Sequence, residues 1–254
     1  MKPLHLIALV SSILFSLTAC SGHLSNKPSS AYTKHLGAST VALIMPSTDE
    51  VGDTNYHAYC TGVWVGPTTI LTAHHCVEAA AQFIANKHAG EETDPVTDVV
   101  GTPIHFIQEN EVMGLGAEPS ALHLGGVVFD DADHDLALVR AEGNAVPGHD
   151  VAEVADQSPA IGDKIHIVGH QKGLYWTYME GTVSAYRDEL SGSEVRGPWM
   201  QVEAPIWFGN SGGGAFDSDG KLIGIASRMP RAPSVGYYIH VDSIRNLLDK
   251  QKTL

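Results

Sequence analysis

Three short stretches carry residue types that can do covalent chemistry. "TILTAHHCV" (69–77) runs an apolar segment into a histidine pair, His74 and His75, beside Cys76. "DADHDLALVR" (131–140) is an acidic cluster that ends in Asp135, directly before an apolar run. "GNSGG" (209–213) sets Ser211 among glycines. A serine hydroxyl is a weak nucleophile at neutral pH. It needs an imidazole to take its proton, and the imidazole needs a carboxylate to fix its tautomer and stabilise it once charged. The oxyanion that develops needs fixed N–H donors. Glycine at 209 permits a backbone twist that turns the N–H groups of Gly209 and Ser211 toward one point. Gly212 and Gly213 are expected to leave the approach to the hydroxyl open. The plainer reading, a flexible turn, leaves the base and the carboxylate without a purpose.

The rest of the chain must position these groups. From about Ala38 short apolar stretches alternate with Gly, Pro, Asn and Asp. Strands are expected at 40–45, 60–66, 69–73, 104–107, 136–140, 164–169, 178–186, 200–204, 215–217, 221–227 and 236–241. Strands this frequent imply an all-β barrel or sandwich. Two helices are expected. One is the alanine-rich 77–86. The other is 241–251, capped by Asp242 or Ser243, with Ile244, Leu247 and Leu248 at helical spacing.

The order His, Asp, Ser in these surroundings resembles the chymotrypsin-like serine peptidases. "LTAHHCV" is similar to their Leu-Thr-Ala-Ala-His-Cys, which places the catalytic base at His75, with His74 a packing or hydrogen-bonding neighbour. "HDLALVR" is similar to their Asp-Ile-Ala-Leu-Leu strand and points to Asp135; Asp133 and His134 then fall on a solvated turn. "GNSGG" is similar to Gly-Asp-Ser-Gly-Gly and points to Ser211, with Gly209 and Ser211 supplying the oxyanion N–H groups. The resemblance covers about 38–250. It implies two six-stranded antiparallel β-barrels with a C-terminal helix, acyl-enzyme chemistry on a polypeptide substrate, and a disulfide between Cys60 and Cys76.

Within that family the end of the chain is similar to HtrA-like and glutamyl-endopeptidase-like peptidases. The 254 residues leave no room for an appended peptide-sensing domain, so none is expected. The resemblance implies a pocket walled by Pro205 to Phe208 and by Ala226, Ser227, Arg228 and Met229, with Tyr238 and His240 as further candidates. Pro205 stands where a trypsin-like pocket carries its carboxylate, and Ala226 stands where glutamyl endopeptidases carry a histidine. Small or medium apolar side chains are therefore the expected preference, with Arg228 and His240 leaving an acidic one open. Asn210 replaces the aspartate that, in zymogen-activated enzymes, pairs with a freshly cut N-terminus.

The leader has its own reading. Lys2 opens a short basic start, and an apolar run ends in "LTAC" (17–20). This resembles the lipobox of bacterial lipoproteins and implies a signal peptide over 1–19, lipidation of Cys20, and a polar tether to 37 before a peptidase domain at 38–254. Ser21 after the cysteine resembles an outer-membrane address. An exported chain sits where disulfides persist. Fifteen Lys+Arg against 29 Asp+Glu give a net charge of -14, so a phosphate backbone repels this chain and nucleic acid is excluded as an expected partner. Fourteen histidines raise a metal question, but no second ligand pair has zinc-site spacing; neither metal nor cofactor is expected. A peptide-binding lipoprotein that does not cut, and an acyl esterase using the same triad, are the competing functions.

Overall fold

The computed structural model describes residues 30–48, 54–111, 121–143, 146–204, 206–230 and 234–253. The leader (1–19), Cys20 and Pro205 lie outside them. Among the described residues twelve strands close into two six-stranded antiparallel barrels, as the resemblance implies. The first contains β1 (Thr40–Thr48), β2 (Thr54–Gly66), β3 (Thr69–Thr72), β4 (Pro103–Gln108), β5 (His123–Asp131) and β6 (Leu136–Ala141), in the spatial order β1-β2-β3-β6-β5-β4. The second contains β7 (Lys164–Gly169), β8 (Thr177–Arg187), β9 (Trp199–Glu203), β10 (Gly214–Phe216), β11 (Leu222–Arg228) and β12 (Val235–His240), in the order β10-β11-β12-β9-β8-β7. Three helices flank them: α1 (Ala31–Ala38), α2 (His74–Ala89) and α3 (Val241–Lys252). None of the described helices is long and apolar enough to cross a membrane.

Side-chain alternation explains the layering. On β7, Ile165 and Ile167 fill the second barrel while His166 between them faces outward. On β6 both faces are apolar. Ala137 and Val139 enter the first barrel's core; Leu136 and Leu138 face the other barrel. There they meet Leu71 of β3, Phe216 of β10, Ile225 of β11 and Ile239 of β12 in one shared cluster. This seam matters for function, because the three chemical stretches all lie at its strand ends. His75 follows β3, Asp135 precedes β6, and Ser211 precedes β10.

β2 and α2 start earlier than expected, at Thr54 and His74, and three further elements depart from expectation. β5 is not among the expected strands. A Cβ on Gly125 would sit 2.8 Å from the Arg140 carbonyl oxygen, so the glycine allows close strand approach. α3 is capped by the His240 ring, which accepts from Asp242 N–H, rather than by Asp242 or Ser243. α1 lies in the stretch read as tether. Ser30 caps it, and Tyr32 and Leu36 dock on the second barrel. The Tyr32 hydroxyl donates to the Asp217 carbonyl, and Trp176 Nε1 donates to the Gly37 carbonyl. The folded unit therefore begins before residue 38. Leu36 is fully buried, so Leu36→Ala is expected to cost about 2–5 kcal/mol in denaturant unfolding; a tether residue would cost nothing.

Candidate active site

Asp135 stands between a short 3₁₀ turn and β6, in left-handed backbone (φ 54°), a conformation that aspartate tolerates better than most residues. It is only 1% exposed. His75 is the second residue of α2, whose N-cap, Ala73, offers no side-chain acceptor. The first N–H groups of a helix need one. Asp135 supplies it: Oδ1 accepts from the His75 backbone N–H at 2.9 Å. The His75 ring presents Nδ1 to the same carboxylate, 2.9 Å from Oδ2 and 3.0 Å from Oδ1. Ser227 Oγ on β11 donates to Oδ2 from the other barrel. Burial pushes the Asp135 pKa up, but the His75 ring, the Ser227 hydroxyl and the His75 N–H outweigh it and hold it below the ordinary aspartate value. An ionised carboxylate only accepts, so Nδ1 carries the hydrogen and Nε2 is left to take a proton.

The Ser211 loop is stitched to the first barrel. Thr61 on β2 donates its N–H to the Ser211 carbonyl (2.8 Å) and its hydroxyl to the Gly209 carbonyl (2.7 Å). Gly209 has φ +99°, and a Cβ there would lie 2.3 Å from the His170 carbonyl oxygen. The Phe208 carbonyl accepts from Lys172 N–H at 2.8 Å. In a trans peptide the following N–H points the opposite way, so the Gly209 amide faces away from Lys172. Neither the Gly209 nor the Ser211 amide has an acceptor among the described residues. Two free donors flank the serine.

Gly212 and Gly213 serve another purpose than expected. A Cβ on Gly212 would lie 2.1 Å from Thr72 Oγ1 and 2.2 Å from the Thr61 carbonyl oxygen; one on Gly213 would crowd the Asn210 carbonyl. They let the loop press against the first barrel. Asn210, 1% exposed, packs its amide on Gly169 with no partner among the described residues. An uncharged amide there costs less desolvation than a carboxylate would.

A cleft of about 400 Å³ joins His75 and Ser211 to Ile206, Trp207, Phe208, Ala226, Ser227, Arg228 and Met229. Most of the expected pocket is thus brought together. Phe208 is 77% exposed at its rim, and Lys172 sets its ammonium 3.8 Å over the Trp207 ring. Tyr238 is instead buried in the second barrel's core. His240 also lies away from the cleft, bonded to Ser158 Oγ at 2.7 Å. It therefore supports no acidic preference. Sequence reasoning missed Thr61 and the role of Ser227, since neither lies in a stretch with chemical content of its own.

The neighbouring histidines fall as expected. His74 places Nδ1 3.3 Å from Asp130, and His134 bonds Asp131 at 3.0 Å. Cys60 and Cys76 form a disulfide with Cα atoms 6.1 Å apart, tying β2 to the start of α2. Their sulfurs lie near the His75 ring, but sulfurs bonded to each other are not the thiolates a metal would need.

The fold is the chymotrypsin-like double barrel, with His75, Asp135 and Ser211 brought to the seam between its halves. The chain matches the trypsin-like peptidase domain over residues 60–225 and belongs to that family. It is 32% identical over 131 residues to the chloroplastic Protease Do-like 1 of Arabidopsis thaliana, an alignment covering 49% of this chain and 30% of that one. It is 24% identical over 164 residues to a serine protease HtrA-like protein of Staphylococcus aureus (strain MRSA252), covering 60% and 21%. The chain thus spans less than a third of either relative. In fold it is similar to an inactive, serine-to-alanine form of Rv3671c from M. tuberculosis H37Rv, with TM-score 0.61 and 15% identity over 87% of this chain and 90% of that one.

Two outcomes follow from the geometry. Thr61→Val, which removes the hydroxyl bond to the Gly209 carbonyl, is expected to lower kcat about tenfold, equivalent to ~1.4 kcal/mol, and to lower the melting temperature by a few degrees. The lowered Asp135 pKa means that its ionised form stabilises the fold above the unfolded aspartate pKa of about 3.9, and that this stability is lost as pH falls through the native value. Ser227→Ala removes a donor to the charged form and raises the native pKa toward the unfolded one. The acid-unfolding midpoint is expected to move to higher pH in a pH titration of circular dichroism.

Proposed function

We propose that this chain is an exported, lipid-anchored serine endopeptidase that cuts beside small or medium apolar side chains. The observation that carries the reading is the His75 ring held on the buried Asp135 carboxylate in the same cleft as Ser211 and two unclaimed amides. Ser211 Oγ attacks the scissile carbonyl while His75 Nε2 takes its proton. The charge that develops on the carbonyl oxygen is stabilised by the Gly209 and Ser211 N–H groups. His75 then gives the proton to the leaving amine, and a water enters by the same route to release the acyl group. Asp135 keeps the imidazole oriented and stabilises its charged state.

The preference follows from the cleft walls. Ile206 lies so close over Gly236 that a Cβ there would meet its Cδ1 at 1.9 Å. Ile206 also lines the cleft, with Ala226 and Met229 as further apolar walls, and no carboxylate lines it among the described residues to attract Arg or Lys. Arg228 stands at the edge. Lipidation of Cys20 would leave ten residues before α1, a reach of at most about 35 Å, and would hold the cleft near the membrane carrying the lipid. A family of peptidases and a complete set of reacting groups favour cutting over mere capture of peptides, and peptide over ester substrates.

The test is cleavage of a peptide library by the full chain. Ala, Val or Thr before the cut bond is expected, with Ser211→Ala inactive and Ile206→Gly shifting the preference toward Leu and Phe. Preference for Arg, Lys or Glu would contradict the pocket reading, and a folded wild type that cuts nothing would contradict the activity.

A further inference from the structure

The turn between β7 and β8, residues 170–176, is held in a conformation that its sequence does not favour. Lys172 (φ 50°) and Trp176 (φ 48°) both sit in left-handed backbone, which is unfavourable for a residue with a Cβ. The serine loop leans on this turn. The His170 carbonyl lies so close to Gly209 that a Cβ there would sit 2.3 Å from its oxygen. Lys172 N–H donates to the Phe208 carbonyl at 2.8 Å, and the Lys172 ammonium stands 3.8 Å over the Trp207 ring. The peptide between Phe208 and Gly209 is thus fixed from the turn. Thr61 holds the other side of the loop, and Asn210 contributes no side-chain hydrogen bond among the described residues.

Two further bonds carry the hold outward, to α1. His170 is fully buried, and burial lowers its pKa to about 3, so its ring is neutral. Its Nδ1 accepts from the Trp176 backbone N–H at 3.1 Å and closes the turn, which leaves the hydrogen on Nε2. The Trp176 ring packs edge-on against the His170 ring, centroids 4.5 Å apart. Its Nε1 donates to the Gly37 carbonyl, in the last turn of α1, at 3.2 Å. α1 has anchors of its own. Leu36 is buried in the cluster shared by both barrels, the Tyr32 hydroxyl donates to the Asp217 carbonyl, and His35 Nδ1 lies 2.9 Å from Asp150. These contacts join end to end from Gly37 through Trp176 and His170 to Gly209. A turn released at Trp176 is free to relax both left-handed residues. The His170 carbonyl and the Lys172 N–H then leave Gly209 and the Phe208 carbonyl together.

We infer that Trp176 and His170 are positioning residues for the Gly209 amide, and that α1, acting through them, keeps that oxyanion donor aimed into the cleft. The inference rests on the proposed peptidase activity. It gives α1 a part in catalysis although none of its residues lines the cleft. Undocking α1 leaves the His75–Asp135 pair in place and disarms the donor alone.

A peptide aldehyde ending in valine tests this. Its adduct with Ser211 places an oxyanion on the donors, whereas a bound amide substrate does not yet carry that charge. In the full chain, Trp176→Phe keeps a ring and removes the Nε1 donor. It is expected to raise the aldehyde Ki about tenfold and to lower kcat about tenfold, with KM for a valine peptide amide unchanged. Partial unfolding or a distorted pocket does not separate Ki from KM in this way. His170→Leu should act as Trp176→Phe does. His170→Asn, whose Oδ1 can accept from the Trp176 N–H, should restore most of the wild-type Ki. A Ki that stays at the wild-type value in both Trp176→Phe and His170→Leu, or that rises together with KM, would overturn the inference. If the wild type cuts nothing, the activity reading fails and hydrogen exchange still decides the coupling. Leu36→Ala in the full chain should then speed exchange of the Lys172 and Trp176 N–H groups about tenfold, with the β3 amides unchanged. Equal exchange at 170–176 in the two proteins would overturn it.

Discussion

Asp135 is an ionised group sealed inside the protein, and a sealed charge is tolerable only when donors surround it. Its donors come from both halves of the molecule. The His75 ring and backbone N–H belong to the first barrel, and the Ser227 hydroxyl belongs to the second. Neither barrel alone can satisfy the carboxylate. The apolar seam of Leu71, Leu136, Leu138, Phe216, Ile225 and Ile239 brings the donors together, and the donors in turn make the seam safe for a charge. Losing a partner from such a buried charge typically costs about 3–5 kcal/mol, so the interaction that orients the His75 ring also ties the two barrels in register.

The serine loop repeats this arrangement. Ser211 lies in the second barrel's sequence, yet Thr61 of the first barrel holds the carbonyls on either side of Asn210. The loop can press so close only because positions 209, 212 and 213 have no side chain. On its far side Lys172 fixes the Phe208 carbonyl with its N–H and the Trp207 ring with its ammonium. The Gly209 and Ser211 N–H groups, the oxyanion donors of the proposed mechanism, are therefore held by the fold in the absence of substrate, which is the condition under which such donors are most effective.

Much of this was legible in the sequence because local chemistry and local pattern agreed. The frequent short strands point to an all-β barrel or sandwich, and the double barrel comes with the family resemblance carried by the three motifs around His75, Asp135 and Ser211. What escaped was set by contacts distant in sequence. The first turn of α2 is capped by a carboxylate sixty residues later, so the helix begins at His74 and not at Val77. β5 hides behind Gly125, whose missing side chain answers to β6. α1 hides in a polar stretch because only Tyr32 and Leu36 commit it to the core. Thr61 and Ser227 look ordinary on their strands; their roles come from the partner barrel across the seam. His240 shows the converse error, a suggestive side chain that the fold spends on a helix cap.

The central claim is that the buried Asp135 network makes Ser211 nucleophilic. Covalent labelling by a fluorophosphonate, which reports an activated serine independently of any peptide preference, tests it most directly. The full chain should label at Ser211, Ser211→Ala should not, and Asp135→Asn should label at least a hundredfold more slowly while remaining folded by circular dichroism. Wild-type protein that is folded and does not label, or an Asp135→Asn variant that labels as fast as wild type, would contradict the account.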